Sequence, residues 1–353
     1  MNVLALTRYG RLGASSRLRT LQFLPFLKNY GIDVAVHPLF DDEMLINKYK
    51  NKGYGINLLF GAYISRMKIM FQRNKFDLIW IEKEALPWMP LWLEAILLTN
   101  IPYVLDYDDA IFHNYDRHQS WAVRSFFGQR IDCLMANARL IIVGNDYLAK
   151  RAQDAGAKWI EKLPTVIDIE RYVIKPLRHH QSNDLRIVWI GSPITENYLE
   201  LISEALQVLA LQHVFKLRVI GGNIKIDHVD VECFPWSEKS EVKLISDCDI
   251  GIMPLENSPW MHGKCGYKIV QYMGCGLPIV ASPIGVNVEM VKNGINGFLA
   301  ASSEAWVSAL KQLLTNKILR QSMGVEGRKQ VESELCVQKV APKLANLLLI
   351  AGA

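Results

Sequence analysis

The sequence predicts an α/β fold built as two parallel-sheet domains facing across a cleft. Three observations lead there. The chain has 353 residues, more than one ordinary α/β domain holds and enough for two of roughly 150–200 each. Short, β-rich apolar runs alternate with longer amphipathic stretches. That alternation begins twice, at the N-terminus and again near residue 185, after a polar interruption.

The elements follow in order. Residues 3–7 form an apolar run. The glycine-bearing loop YGRLGASSR and an amphipathic stretch at 18–29 come next, giving strand, loop and helix. Further strands are expected at 32–37, at 76–82 (FDLIWIE), at 101–105 (IPYVL) and at 140–143 (LIIV), each short and bounded by polar residues. Residues 176–184 (PLRHHQSND) are polar and aperiodic and read as an interdomain linker. The second half restarts with a strand at 185–190. The turn Gly191-Ser192-Pro193 follows, with Thr195 as N-cap of a helix reaching residue 212. Strands are then expected at 215–220, 229–234, 250–254 and 278–281. A helix begins near Ser237 to Ser240, and an apolar-faced helical tail runs over 333–350. The domains are drawn as 1–178 and 183–334, with 335–353 as a terminal helix.

Composition narrows the function classes. Apolar residues make up 50% of the chain, which suits a packed globular protein rather than a disordered one. The six cysteines, Cys133, Cys233, Cys248, Cys265, Cys275 and Cys336, form no C-x-x-C pair. They read as free thiols in a reducing compartment. The longest apolar run, 86–98, is broken by Pro87, Pro90 and Glu94, and a spanning helix needs about 20 apolar residues. No signal-peptide pattern opens the chain, so a cytoplasmic location is expected. The net charge of +5 sits in the first half, which suggests an anionic surface or substrate there. It is too diffuse for a nucleic-acid partner. Neither half carries G-x-G-x-x-G followed by an acid about 20 residues on, which argues against a dinucleotide-dependent dehydrogenase.

The segment 249–299 is the most informative. It runs DIGIMPL, then a loop with Glu256, Trp260, His262 and Gly263, then KCGYKIVQYM, GCG, a strand, SPIGVN and NGINGF. Read as a helix start, residues 264–273 put Lys264, Lys268 and Gln271 on one face, and Ile269, Val270 and Met273 on the other. Two ammonium groups near the positive end of a helix suit a diphosphate, with Gln271 one turn on toward ribose hydroxyls. The same lysines also read as solvated charges on an amphipathic helix. Gly285-Val286-Asn287 is either a second ligand-facing turn or a plain strand-to-helix connection. Trp236 lies beside a nucleotide base or packs internally.

In the first half, Asp106, Asp108 and Asp109 follow a strand end. Three acids in four positions suit a metal, a helix cap, or hydrogen bonding to and proton removal from a hydroxyl. Gly13 allows close backbone approach to a donor phosphate or sugar. Arg17 and Arg19 read as binders of an anionic acceptor or as surface arginines. His113 is an acceptor-side candidate or a structural histidine. Residues 47–75 mix lysines and arginines with Leu58, Phe60, Tyr63, Met67 and Phe71, which suits either an anionic bilayer or a core-facing helix.

DIGIMPL, GKCGYKIVQYMGCGLPIVASPIGVN and NGINGFLA, in that order, resemble the donor half of retaining GT-B glycosyltransferases, family 4 (glycosyl transferases group 1). WIGSPITENYLELI and LRVIGG fit the opening of the donor domain. GASSRLR, LDYDDAIF and GNDYLAKRA with LPTVID fit the acceptor half. The resemblance implies two Rossmann-like domains, with the terminal helix crossing back onto the first. It implies hexosyl transfer from a nucleoside-diphosphate sugar with retention and with no metal or other cofactor. Donor contacts are expected, from these residues and the resemblance together, at Gly13, Gly191, Ser192, Thr195, Trp236, Lys264, Lys268, Gln271, Gly285 and Val286. Asp108 and Asp109 are implied as catalytic, and Arg17, Arg19 and His113 as acceptor-binding.

The expected acceptor is lipid-linked or a polysaccharide, in the biosynthesis of cell-surface glycans such as lipopolysaccharide or capsule. The expected site of action is the cytoplasm, peripheral to the inner face of the plasma membrane. The family pattern has two glutamates eight positions apart where this chain has Gly263 and Gln271. It also has an Arg and a Lys after the first donor-domain strand, where Ser192, Pro193 and Thr195 stand. Lys264 and Lys268 are expected to supply the missing charge. The alternatives are a weakly active or inactive sugar-nucleotide-binding partner subunit, or an epimerase or phosphorylase of the same fold.

Overall fold

The structure is a computed structural model that describes residues 1–50, 53–173 and 185–353. The expected linker at 176–184 lies outside the described residues. The chain divides into two compact units. The first holds Met1–Thr165, Gly263–Cys265 and Val337–Ala353; the second holds Val166–His262 and Gly266–Cys336.

The first unit is built on a six-stranded sheet. Its strands are β1 (Asn2–Tyr9), β2 (Asp33–Phe40), β3 (Leu78–Glu82), β4 (Tyr103–Tyr107), β5 (Leu140–Val143) and β6 (Ile160–Lys162), in the order β2-β1-β3-β4-β5-β6. Every pairing is parallel. Helices therefore cover both faces, and strands such as LIIV are buried at every position. The order reverses between β1 and β3, the place where open parallel sheets bind ligands beyond their carboxyl ends. Arg66 braces that end. Its buried guanidinium donates to the carbonyls of Thr7 at 2.6 Å and His37 at 2.9 Å. It therefore faces the interior, not a membrane. The helix Ile56–Phe71 uses Tyr63, Arg66 and Met70 as its core face.

The second unit repeats the plan with β7 (Leu185–Ile190), β8 (Phe215–Ile220), β9 (Asp230–Phe234), β10 (Ile250–Met253), β11 (Ile279–Ala281) and β12 (Gly297–Leu299). The order is β12-β11-β10-β7-β8-β9, again all parallel. Here the reversal lies between β7 and β10. Fully buried Ile187, Val188, Ile250, Ile252 and Val280 fill the sheet faces. Each such side chain contributes roughly 1.5–3 kcal/mol.

Several expectations are corrected. The first unit ends before residue 178. Ile167 bridges to Cys336, and Tyr172 packs beside Gly274, so this stretch joins the second sheet's core. The 18–29 helix is split into Ala14–Arg19, a tight turn at Leu21–Phe23 and Leu24–Lys28, where Pro25 removes a backbone donor. Thr195 is not the N-cap; Ser192 is, and Thr195 is the third residue of a 3₁₀ stretch, Pro193–Ile202, that precedes the α-helix Ser203–Ala210. The tail is two helices, Lys317–Glu334 and Val337–Gly352, broken at Leu335 and Cys336. Val337–Gly352 packs against Leu24–Lys28, β3 and β4 of the first unit.

Candidate functional site

The first unit gathers its charges where β3 and β4 end. Lys83 directly follows β3 and has φ 68°, a left-handed backbone uncommon outside glycine. That conformation costs of order 1–3 kcal/mol and persists only when the surroundings hold it. Its ammonium supplies the hold. It donates to Ser15 Oγ at 2.9 Å and lies 2.9 Å from Asp108 Oδ1 and 3.2 Å from Asp109 Oδ2. Lys264 reaches the other oxygen of Asp109 at 2.7 Å. Asp109 is thus clasped between two ammonium groups. Burial opposes its ionisation, but Lys264 and then Lys83 outweigh burial and hold the carboxyl below its ordinary range. For Lys83, burial favours the neutral amine, yet Asp108 and Asp109 raise its pKa. A carboxylate stabilised this way is a good hydrogen-bond acceptor and a weak general base.

The three acids do not converge. Asp106 is buried against Arg19, whose Nε donates at 2.8 Å, and Arg19 also donates to the carbonyl of Leu163 at 2.9 Å. Arg19 is therefore a buried brace rather than an acceptor-binding group. Arg17 is likewise buried, and it donates to the carbonyl of Arg11 at 3.0 Å, closing the loop after β1. His113 lies between Asp116 at 2.8 Å and Tyr147 Oη at 2.7 Å, so both ring nitrogens serve packing inside the unit. Gly13 begins the helix Ala14–Arg19, and a Cβ there would sit 2.4 Å from Tyr9 Cβ. Glu82 fastens the same loop, accepting from Ser16 Oγ at 2.6 Å and from the Arg8 amide at 3.0 Å.

The 249–299 segment is arranged differently from the sequence reading. Its helix is Tyr267–Gly274, preceded by Gly266 at φ 66°. Lys264 lies outside the helix, so Lys264 and Lys268 share no helical face. Left-handed Gly266 breaks the chain direction between them. Gly263, matched to the first family glutamate, has no room for a side chain: a Cβ would lie 2.5 Å from Ala110 Cβ and 2.7 Å from its amide nitrogen. Gln271 is 1% exposed and donates to Tyr172 Oη at 3.0 Å, so it faces the core rather than a ribose.

In the second unit the glycines at the strand ends come together. A Cβ on Gly221, at φ 83°, would lie 2.2 Å from the carbonyl oxygen of Gly191. A Cβ on Gly191 would meet the Trp189 indole at 2.3 Å and Lys268 Nζ at 2.9 Å. Lys268 places its ammonium 4.1 Å from the centre of the Trp189 ring, over its face. A cation thus sits against bare backbone where β7 ends, beside the reversal point. Ser192 and Thr195 close the adjoining turn, the Ser192 amide donating to Thr195 Oγ1 at 3.2 Å. Trp236 packs on the core and donates to Glu241 at 2.8 Å. Gly285 takes φ 52° close to the backbone of His262, while the Val286 side chain is buried against Gly266.

Sequence reasoning missed Lys83 and Ser15. The usable signal was the polar run after the buried strand FDLIWIE, at the carboxyl end of a parallel strand.

Residues 184–316 match the family described as Glycosyl transferases group 1. An uncharacterized glycosyltransferase of Methanocaldococcus jannaschii is 21% identical over 187 residues, 48% of this chain and 46% of that protein. The chain therefore spans about half the length of that relative. The crystal structure of HepE from Anabaena in complex with UDP-glucose superposes with a TM-score of 0.73 at 18% identity, covering 99% of this chain and all of that one. WaaG, a glycosyltransferase involved in lipopolysaccharide biosynthesis, gives 0.72 at 13% identity over 99% of both chains. The two six-stranded parallel sheets with their helices are the GT-B architecture, and the second of them carries the stretch that matches Glycosyl transferases group 1.

Proposed function

We propose that this chain is a glycosyltransferase that binds a nucleoside-diphosphate sugar on its second unit and transfers the hexosyl group, with retention, to an acceptor engaged by its first. The observation that carries the reading is the Lys268 ammonium at the Gly191 backbone, 4.1 Å from the Trp189 ring. Protein cations there would neutralise the leaving diphosphate without a metal, the kind of charge stabilisation that dominates such reactions. The family match over 184–316 and the UDP-glucose complex of HepE support a UDP-sugar as the first donor to try. Asp108 and Asp109 are proposed to hold an acceptor hydroxyl by hydrogen bonds.

The acceptor is proposed to be lipid-linked or a growing polysaccharide, in cell-surface glycan assembly at the inner face of the plasma membrane. In support, the helix Ile56–Phe71 exposes Ile56, Leu58 and Phe60 near its start, following Lys48 and Lys50 in the chain. No helix among the described residues is long and apolar enough to cross a membrane.

A second reading has its own observation. With Gly263 closed off by Ala110 and Gln271 turned to Tyr172, neither family glutamate position offers a group to the donor. A partner subunit that binds sugar nucleotide without turning it over fits that fact. The deciding experiment incubates the full chain with UDP-glucose and a lipid-extract acceptor and follows UDP release. Acceptor-dependent release supports the transferase. Donor binding in a thermal-shift assay with no release supports the partner subunit, and no binding to any sugar nucleotide rejects both.

A further inference from the structure

Lysines at the strand ends of this chain are held in two different ways. Lys83 and Lys264 of the first unit stand against the carboxylates of Asp108 and Asp109, at 2.7–3.2 Å. Lys268 of the second unit stands over the face of Trp189, 4.1 Å from the ring centre. The two devices differ in the charge they leave behind. A carboxylate cancels the charge it holds. An aromatic ring attracts an ammonium through its quadrupole and leaves the unit charge intact. The second device suits a cation that has to meet an anion.

Trp189 is the penultimate residue of β7 and is fully buried. Two residues on, Gly191 lies over the same ring, and a Cβ there would come within 2.3 Å of the ring edge. The indole is therefore the floor beneath both the ammonium and the bare backbone. Packing alone does not account for an indole at this place. Its Nε1–H is buried and meets no acceptor among the described residues. A phenyl ring would fill much of the same space without burying an unpaired donor. What the indole adds is the best face for a cation among the aromatic side chains. The backbone that carries Lys268 is fixed separately. Tyr272 lies four residues on, on the same face of the helix Tyr267–Gly274, and is fully buried. Its Oη accepts from the Ile190 amide at 3.1 Å and donates to the Ile252 carbonyl at 3.2 Å. A Cβ on Gly251 would lie 2.4 Å from the Tyr272 ring, so the helix sits close against the strand ends. The flexible four-carbon stem of Lys268 is left to be fixed, and its end is where the Trp189 ring lies.

We propose that Trp189 is a positioning residue whose indole holds the Lys268 ammonium in place, undiminished in charge, for the donor diphosphate. The proposal deepens the donor reading above and rests on it. The test is a double-mutant cycle of Trp189→Leu and Lys268→Ala in the full chain, with Trp189→Phe as the conservative variant. Denaturant unfolding of the cycle shows whether ring and ammonium are coupled without any ligand. Calorimetric titration with UDP-glucose shows whether that coupling reaches the donor. With Lys268 present, Trp189→Leu should weaken UDP-glucose binding about 3- to 10-fold, within the span of a cation–π contact, and Trp189→Phe should weaken it less. With Lys268→Ala in place, Trp189→Leu should change affinity by less than about twofold. A ring that only packed would weaken binding equally in both backgrounds, and that result overturns the proposal. So does unfolding in which the two substitutions are additive. If Trp189→Leu is too unstable to titrate, Trp189→Phe carries the cycle under the same outcomes. Loss of affinity in Lys268→Ala with wild-type affinity in Trp189→Leu overturns the positioning role alone. No UDP-glucose binding by the wild type, or unchanged binding in Lys268→Ala, overturns the donor reading and the proposal with it.

Discussion

The two units end their sheets in the same way and use those ends differently. Beyond β3 and β4, two ammoniums and two carboxylates clasp one another, and the pKa values of Asp109, Lys83 and Lys264 all move toward the charged forms. Beyond β7, Lys268 is seated on an aromatic face against glycine backbone. The first arrangement stores its electrostatics internally and presents fixed carboxylates. The second brings glycine backbone and the Lys268 ammonium together at a strand end, where we propose that an anion binds. The same topology therefore builds a closed charge set in one unit and, in our proposal, an anion seat in the other.

The largest expected effect is at the seat. Lys268→Ala should lower kcat/KM for a UDP-sugar by roughly 10²–10³-fold, the range for removing one preorganised charge-stabilising group. Steady-state kinetics on the variant check it, with melting to show that the fold holds. Next comes the clasp. Asp109→Asn leaves Lys83 and Lys264 short of a counter-charge and should cost roughly 2 kcal/mol of stability. That is under the 3–5 kcal/mol of a fully buried broken pair, because Asp108 still faces Lys83. Denaturant unfolding measures it. A third test sets the two sites apart. Gly263→Glu, which reinstates the family residue, should add no activity. It should destabilise the first unit by about 1–3 kcal/mol, because the Cβ itself collides with Ala110.

The smallest effects are in pH dependence. Asp109 has a depressed pKa in the folded state, so its contribution is complete above the ordinary Asp value of about 3.9 and is lost as pH falls through the depressed value. Asp109→Asn should remove that acid-side loss. His37 is pushed down to about 4, by burial first and by Arg66 second. The unfolded chain takes up this proton near pH 6.5, so stability should decline as pH drops from there toward 4. In His37→Gln the melting temperature should fall less across that window.

Much of the fold was legible because buried parallel strands leave short continuous apolar runs. LIIV at β5 and LRIVWI at β7 are placed to the residue. The strands Ile160–Lys162 and Gly297–Leu299 were not, since each is only partly buried and leaves no continuous apolar run of the kind that marks Ile279–Ala281. The site was less legible for a different reason. Arg19 meets Asp106 from 87 residues away, and Gln271 meets Tyr172 from 99. Helical periodicity on one segment does not report such partners. The left-handed backbones of Gly266 and Lys83 were also hidden, and the first of them moved the helix start past Lys264.

The central claim is that Lys268, and not Lys264, is the diphosphate cation. Calorimetric titration of UDP-glucose into wild type, Lys268→Ala and Lys264→Ala tests it most directly. The expected result is a loss of at least about tenfold in affinity for Lys268→Ala, with Lys264→Ala close to wild type. Wild-type affinity in Lys268→Ala, with the loss falling on Lys264→Ala, would contradict it.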